Sequence, residues 1–491
     1  MNIPTETSVL VIGGGPAGST TSALLALNGF DVTLIEREVF PRYHIGESLL
    51  PSCLEILDLL GVREQVEAFG FVRKPGAYLE WGNEKWRLDF GEMSGNYTYA
   101  YQVTRSDFDH LLLKNAAAKG VKVFEGTQID AIGFDGDRPA WAKWSSREQP
   151  ARSGEVRFDY VVDASGREGI LGAKCLKNRR YHQAFQNIAL WGYWRGARRH
   201  PQADTGAIHV GSLPGGWLWG IPLHDGTMSV GLVIHKDAYN AQHHLAREKI
   251  YEDALKSCPL FREILADARL TTPVKVESDY SYTSDRFTGP GYYIAGDSAC
   301  FIDPLLSSGV HLATYSGLLA AASISSALRG EIDETAAAAF YEKSYRQAYL
   351  RFLVFVGTFY DQARGKEGYF REAQKLTHED CDTGSLKAAF LNLVTGLEDL
   401  ANAEQGIPNL IMSEMADRLK ENLALRKDKS ALESDRSKKA LSDNVKFFDA
   451  VEGMGALSPR SAVNGWYVST RPQLGLVCQP ETVSSEGPPH V

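Results

Sequence analysis

The residues with the clearest chemical potential begin at position 13. Gly13, Gly15 and Gly18 stand at GxGxxG spacing in "GGGPAG", with Gly14 and Ala17 in the same turn. Glycines at this spacing let a backbone close on a pyrophosphate, and the helix start behind them offers N–H groups and a positive dipole end. Glu36 follows 18 residues after Gly18, where an acid can hold a ribose hydroxyl. Trp217 and Trp219 in "GGWLWGIPLHDG" (215–226) are two apart. On a strand they share one face, as core residues or as a wall. Lys74 opens "KPGAYLEWG", and Gly296-Asp297 precedes the small-residue run "DPLLSSGVH" (303–311).

These residues need elements to hold them. "SVLVI" (8–12) reads as a buried parallel strand, residues 18–28 as a helix stopped by Gly29, and "DVTLIE" (31–36) as a second strand. The glycines thus sit between strand and helix, with the acid at the end of the next strand. "YVVDASGRE" (160–168) is an apolar strand running into Asp163 and Gly166, and "YYIAGDSACFIDPLLSSGVHLA" (292–313) runs from strand through Gly-Asp into a helix.

Composition narrows the setting. A chain of 491 residues exceeds one simple core and suits two or three sub-domains. The net charge of −9 argues against nucleic acid and anionic membrane as partners. The six cysteines are scattered without CxxC or metal-type spacing, so neither a disulfide scaffold nor a metal site is expected. No signal peptide and no apolar run of membrane-spanning length is read, which gives a cytoplasmic expectation.

The ordered set GxGxxG, "PRYHIGES" (41–48), "AYQVTRSDFDHLLL" (100–113), DASG and Gly-Asp resembles the glutathione-reductase-type flavoproteins, especially their hydroxylase-like branch. The resemblance implies FAD, held by Gly13, Gly14, Gly15, Ala17, Gly18, Glu36, Glu47, Arg105, Asp297 and Val310. Arg105 taken alone also suits pairing on its own helix. No second strand–GxGxxG–helix unit is found, so no built-in NAD(P)H domain is expected.

Residues 217–222 fit WxWxIP, and "KPGAYLEWG" fits K-x-G…W-G. With "DPLLSSGVH", these resemble the flavin-dependent halogenases over residues 5 to 370. The resemblance implies an α/β fold: a Rossmann-like FAD-binding fold with an antiparallel β-sheet substrate region and a helical C-terminal region. It implies FADH2, O2 and chloride or bromide, a flavin hydroperoxide that yields hypochlorous acid, and Lys74 as the lysine that passes the halogen on. Trp217 and Trp219 would wall the flavin from the substrate, and Ser308 and Gly309 would hold chloride. An ammonium polarising hypochlorous acid, or an amine chlorinated to a chloramine, both need a partly desolvated lysine. Reduced flavin would come from a separate NAD(P)H:flavin reductase.

One position departs from the tryptophan-specific branch. Where that branch carries a helper glutamate, this chain has Leu306. A phenol or pyrrole is activated by its own heteroatom, so the expected substrate is an electron-rich, phenolic aromatic, free or tethered to a carrier protein. Glu80, His224 and Asp225 are weighed as its base, each against an ordinary loop role. A flavin monooxygenase and a non-catalytic flavin scaffold are the alternatives.

The expected division is a core over 1–330, with FAD-binding parts at 5–50, 100–170 and 285–330 and a substrate sheet at 70–100 and 175–285. A helical region follows over 331–470, then a disordered tail over 471–491. The aromatic stripe Tyr341, Tyr345, Tyr349, Phe352, Phe355 and Phe359 reads as core or as a pocket lining.

Overall fold

The computed structural model describes residues 2–82, 84–90, 98–149, 151–364 and 462–478. The run Glu6–Ile12 forms the central strand of an eight-stranded sheet, and its apolar residues are buried, with helix Pro16–Leu27 packed against it. It pairs in parallel with Val32–Ile35 on one side and Ser153–Asp163 on the other. Lys122–Phe124 and Tyr292–Ile294 extend the parallel set, and Thr127–Asp135 and Arg138–Ser146 join it as an antiparallel meander. Helix Pro16–Leu27 packs against Arg105–Ala118 and Ser308–Leu328. The last crossing is close at Gly317, where a Cβ would lie 2.8 Å from the Ala17 carbonyl oxygen.

The chain leaves this unit and returns to it. Residues between build a nine-stranded sheet in the order Cys300–Phe301, Lys275–Ser284, Arg179–Arg195, Thr227–His235, Gly216–Pro222, Ile208–Leu213, Gly76–Trp81 and Glu84–Asp89, with Arg269–Leu270 beside Arg179–Arg195. All its pairs are antiparallel except Ile208–Leu213 with Gly76–Trp81. Side chains alternate across this sheet. Trp217, Trp219 and Ile221 enter the core shared with the nucleotide unit. Leu218, Val230 and Leu232 enter a second core under helices Arg247–Ser257 and Pro259–Ile264.

Two features differ from the sequence reading, and one follows it. Lys74 does not lie on the large sheet; it ends Val72–Lys74, a short strand paired, among the described residues, only with Ala100–Gln102. Glu334–Arg364 is helical as read, and Tyr341, Tyr345, Tyr349 and Phe352 are buried core. The first three anchor their hydroxyls on the carbonyls of Ile294, Gly296 and Tyr282. That packing removes them from a pocket lining, while the side chains of Phe355 and Phe359 lie outside the described residues. Finally, Trp466–Ser469 and Gly475–Cys478 form a hairpin where a helical region and a disordered tail are expected. Buried Leu474 and Leu476 explain it, since Leu476 N–H donates to Ser326 Oγ and Arg329 donates to the Leu474 carbonyl. Residues 365–461 of the helical region expected over 331–470 lie outside the described residues.

Candidate active site

The glycine turn is shaped by close backbone approach. Gly13 has φ +104°, and a Cβ there would sit 2.3 Å from the Ala164 carbonyl oxygen. At Gly18 a Cβ would sit 1.9 Å from the Gly13 carbonyl oxygen, so only glycine lets the helix pack on the loop. Gly15 differs, because its Cβ would meet only the Arg42 guanidinium at 3.4 Å. Its outer side is therefore open, and the helix it begins has no side-chain cap. Uncapped N–H groups beside an open glycine suit a pyrophosphate. Glu36, buried on the rim, accepts from Gly14 N–H at 2.6 Å and Glu38 N–H at 2.8 Å. A carboxylate has acceptor capacity beyond these two bonds, enough for a ribose hydroxyl. The cradle fits FAD.

Asp163, at the end of Ser153–Asp163, has a purely structural part. Its carboxylate accepts from the hydroxyls of Ser165 and Ser298 and from the N–H groups of Leu171 and Gly172. Asp297 follows Tyr292–Ile294 through Gly296, at φ +60°. Burial raises its pKa, and Arg167, Arg105 and Arg179 pull it back.

Arg105 forms a two-point pair with Asp109 at 2.8 and 2.9 Å and donates to the carbonyls of Ile45 and Gly46 at 2.9 and 3.2 Å. Asp109 also pairs with Arg42 at 3.0 Å. Arg105 thus fixes the segment that carries Glu47. Glu47 is buried, and the Tyr193 hydroxyl donates to it at 2.5 Å. Burial pushes its pKa up to about 7. The neighbouring His44 goes the other way: burial, then Arg105, brings it down to about 3, so its ring is neutral.

Lys74 is 2% exposed. Its Nζ donates to the Leu49 carbonyl at 2.9 Å and to Ser307 Oγ at 3.4 Å, and it stands 5.3 Å over the Phe90 ring. Leu49 is placed by its N–H bond to the Tyr101 carbonyl, beside the ribbon that carries Lys74. Ser307 precedes helix Ser308–Leu328 in the left-handed region, φ +58°, and this helix start has no side-chain cap. Ser308 and Val310 are buried, whereas Gly309 is exposed with open space where a Cβ would stand. The fold therefore brings Lys74 to the 307–309 turn across 233 residues of sequence.

The two indoles pack 5.8 Å apart, tilted by 51°, and both are buried. Trp219 lies across from Gly231 on the next strand, where a Cβ would come within 2.0 Å of the indole. Its Nε1 donates to Ser229 Oγ at 3.3 Å. Sequence reasoning passed over Gly231, Ser229 and Tyr193, and took Ser307 only as part of the small-residue turn. Gly231 in a strand interior was the one available signal, since glycine there often marks a close approach. Of the weighed bases, Glu80 pairs with Lys85 at 2.6 Å. His224 packs on Phe69 and Phe71, and Asp225 caps Thr227 in the turn after Pro222. Leu306 packs against the core.

Among the described residues no helix is long and apolar enough to cross a membrane, and no group of His, Cys, Asp and Glu could hold a metal ion. The profile of the family described as tryptophan halogenase matches residues 8–98 and 93–393. A "Tryptophan 2-halogenase" of Chondromyces crocatus is 44% identical over 97% of this chain and 95% of its own length. "Sulochrin halogenase gedL" of Aspergillus terreus is 38% identical over 82% of this chain and 78% of its own. Among solved structures, the myxobacterial chondrochloren halogenase CndH, described as a variant of FAD-dependent halogenases, superposes with TM-score 0.70 at 35% identity, covering 84% of this chain and 97% of that one. An FAD cradle, a buried lysine against a small-residue turn and these relatives agree: the chain belongs to the tryptophan halogenase family of flavin-dependent halogenases.

Proposed function

We propose that this enzyme halogenates an electron-rich, phenolic ring, free or tethered to a carrier protein, with Lys74 delivering the oxidised halogen. Members of the family draw reduced flavin from a separate reductase, consume O2 and halide, and act on aromatic rings. When bound, FAD supplies the oxygen activation that oxidises the halide. The observation that carries the proposal is Lys74 Nζ held between the Leu49 carbonyl and Ser307 Oγ. A buried cation donor there would bind hypochlorous acid and polarise its halogen toward a ring. The uncapped start of helix Ser308–Leu328 would hold the halide through Ser308 and Gly309, with Val310 behind them. Glu36, Arg105, Glu47 and Asp297 would line the flavin.

Leu306 carries the substrate assignment. An apolar side chain there gives no carboxylate to help an unactivated ring carbon, so the ring must bring its own activation. The 44% relative named a tryptophan 2-halogenase favours a second reading, an indole attacked on its nitrogen-activated ring. A panel of phenols and indoles, each free and as a pantetheine thioester, separates the two. Phenols should react at least about tenfold faster than tryptophan, a difference of about 1.4 kcal/mol in the barrier; halogenation confined to indoles would overturn the phenolic assignment.

Trp217 and Trp219 would keep the organic substrate from the flavin. Trp217→Phe and Trp219→Phe should still pack, at well under the about 3–5 kcal/mol of a truncation to alanine. They should nevertheless yield oxygenated product beside the halogenated one. A loss of thermal stability with no oxygenated product would contradict the wall.

A further inference from the structure

The turn that Lys74 reaches is itself held by a buried pair of side chains. Asp303 opens the turn, and Asn187 lies on strand Arg179–Arg195; both are buried. Asn187 Nδ2 donates to Asp303 Oδ2 at 2.8 Å. The other carboxylate oxygen accepts from Leu305 N–H at 3.1 Å, and the Asp303 N–H donates to Ser281 Oγ at 3.1 Å. Ser281 is on Lys275–Ser284, so two neighbouring strands hold the first residue of the turn. The turn closes with Ser307 N–H on the Pro304 carbonyl at 2.9 Å, which sets Ser307 Oγ 3.4 Å from Lys74 Nζ. Strand alternation puts Asn187 on the face of Ala189 and Trp191. Through the rows Ala189–Val233–Trp217 and Trp191–Gly231–Trp219, that is also the face of the two indoles. Helix Ser308–Leu328 has a separate hold, since His311 Nδ1 lies 2.8 Å from Ser52 Oγ.

We infer that Asn187 and Asp303 are positioning residues whose buried side-chain bond ties the 304–307 turn to the sheet face of the indoles and so keeps the turn in register with Lys74. The inference rests on the reading of Lys74 and the 308–309 helix start as the halogen-transfer site. A buried carboxylate is stable only where donors meet its oxygens. Here one donor comes from the turn and one from the sheet. Capping the short helix Pro304–Leu306 needs only the Leu305 bond. The Asn187 bond spans 116 residues of sequence and holds the turn from outside. A turn that moved off the sheet would leave Asp303 buried without this donor, so the pair resists that movement. Small movements matter here, because a displacement of about 1 Å at a reacting group can cost about 100-fold in rate.

The test follows bromination of the fastest phenol of the panel by the FAD-loaded enzyme, with a flavin reductase and NADH, over a range of bromide concentrations. Asn187→Leu keeps the size and removes the donor. It should raise the bromide KM at least about tenfold and lower kcat/KM for bromide about 100-fold, with FAD affinity within about threefold of the parent. Bromide affinity, read from the flavin absorbance of the oxidised holoenzyme, should weaken in step. Asn187→Asp sets two carboxylates against each other and should lose as much. Asp303→Asn should lose about tenfold. The exchanged pair, Asn187→Asp with Asp303→Asn, again has one amide and one carboxylate and should return to within about fivefold of the parent. That exchange is the second route if Asn187→Leu folds poorly. A parent bromide KM in Asn187→Leu, or an exchanged pair no better than Asn187→Asp, overturns the inference. So does a loss of kcat and FAD affinity together at unchanged bromide KM, which marks Asn187 as a packing residue. Bromination that survives in Lys74→Met refutes the transfer site itself, and the inference falls with it.

Discussion

Lys74→Ala and Lys74→Met each lower halogenation by about 10³-fold or more, the scale expected for losing a preorganised donor at the reacting atom. FAD affinity stays within about twofold, since the glycine turn is untouched. Lys74 reaches the 307–309 turn from a two-stranded ribbon, and its Nζ donates to Ser307 there. Methionine keeps the stem and loses the charge, so it separates packing from chemistry. Lys74→Arg keeps the charge, but a planar fork does not fit the place of a compact ammonium between Leu49 and Ser307. Product quantification beside a flavin titration checks all three. Near-parent halogenation by Lys74→Met would remove the lysine from the mechanism.

Gly18→Ala lowers FAD affinity by at least about 100-fold, about 2.7 kcal/mol, and lowers the melting temperature as well. Its Cβ would meet the Gly13 carbonyl oxygen at 1.9 Å, so the glycine loop must move off the helix. Gly15→Ala is the instructive partner. Its Cβ meets only the end of the Arg42 side chain at 3.4 Å, so stability should change by less than about 0.5 kcal/mol. FAD affinity should still fall about tenfold, because the methyl occupies the face left for pyrophosphate. Flavin fluorescence titration and thermal melts give both readouts. Two variants with equal losses of stability and affinity would mean the turn is merely tightly packed.

Much of the nucleotide unit was legible because local chemistry dictates it. Gly13 and Gly18 are compelled by backbone contacts, and Glu36 by its place at the end of Val32–Ile35. The indole pair was legible as one face of a strand, and the register of Gly216–Pro222 bears that out. What escaped depends on contacts across sequence. The Ser307 contact of Lys74 spans 233 residues, and the Tyr193 bond to Glu47 spans 146. Gly231 matters only because Trp219 lies over it, which needs the pairing of two strands. The C-terminal hairpin escaped for the same reason: its polar, Pro-containing sequence hides two leucines that find helix Ser308–Leu328.

The most direct test supplies the enzyme with FAD, a flavin reductase, NADH, O2 and bromide, and follows phenolic and indolic substrates by mass spectrometry. The account predicts a product bearing the bromine isotope doublet, formed by the parent and lost in Lys74→Met. A product that gains a single oxygen in place of bromine, formed equally by the parent and by Lys74→Met, would contradict it.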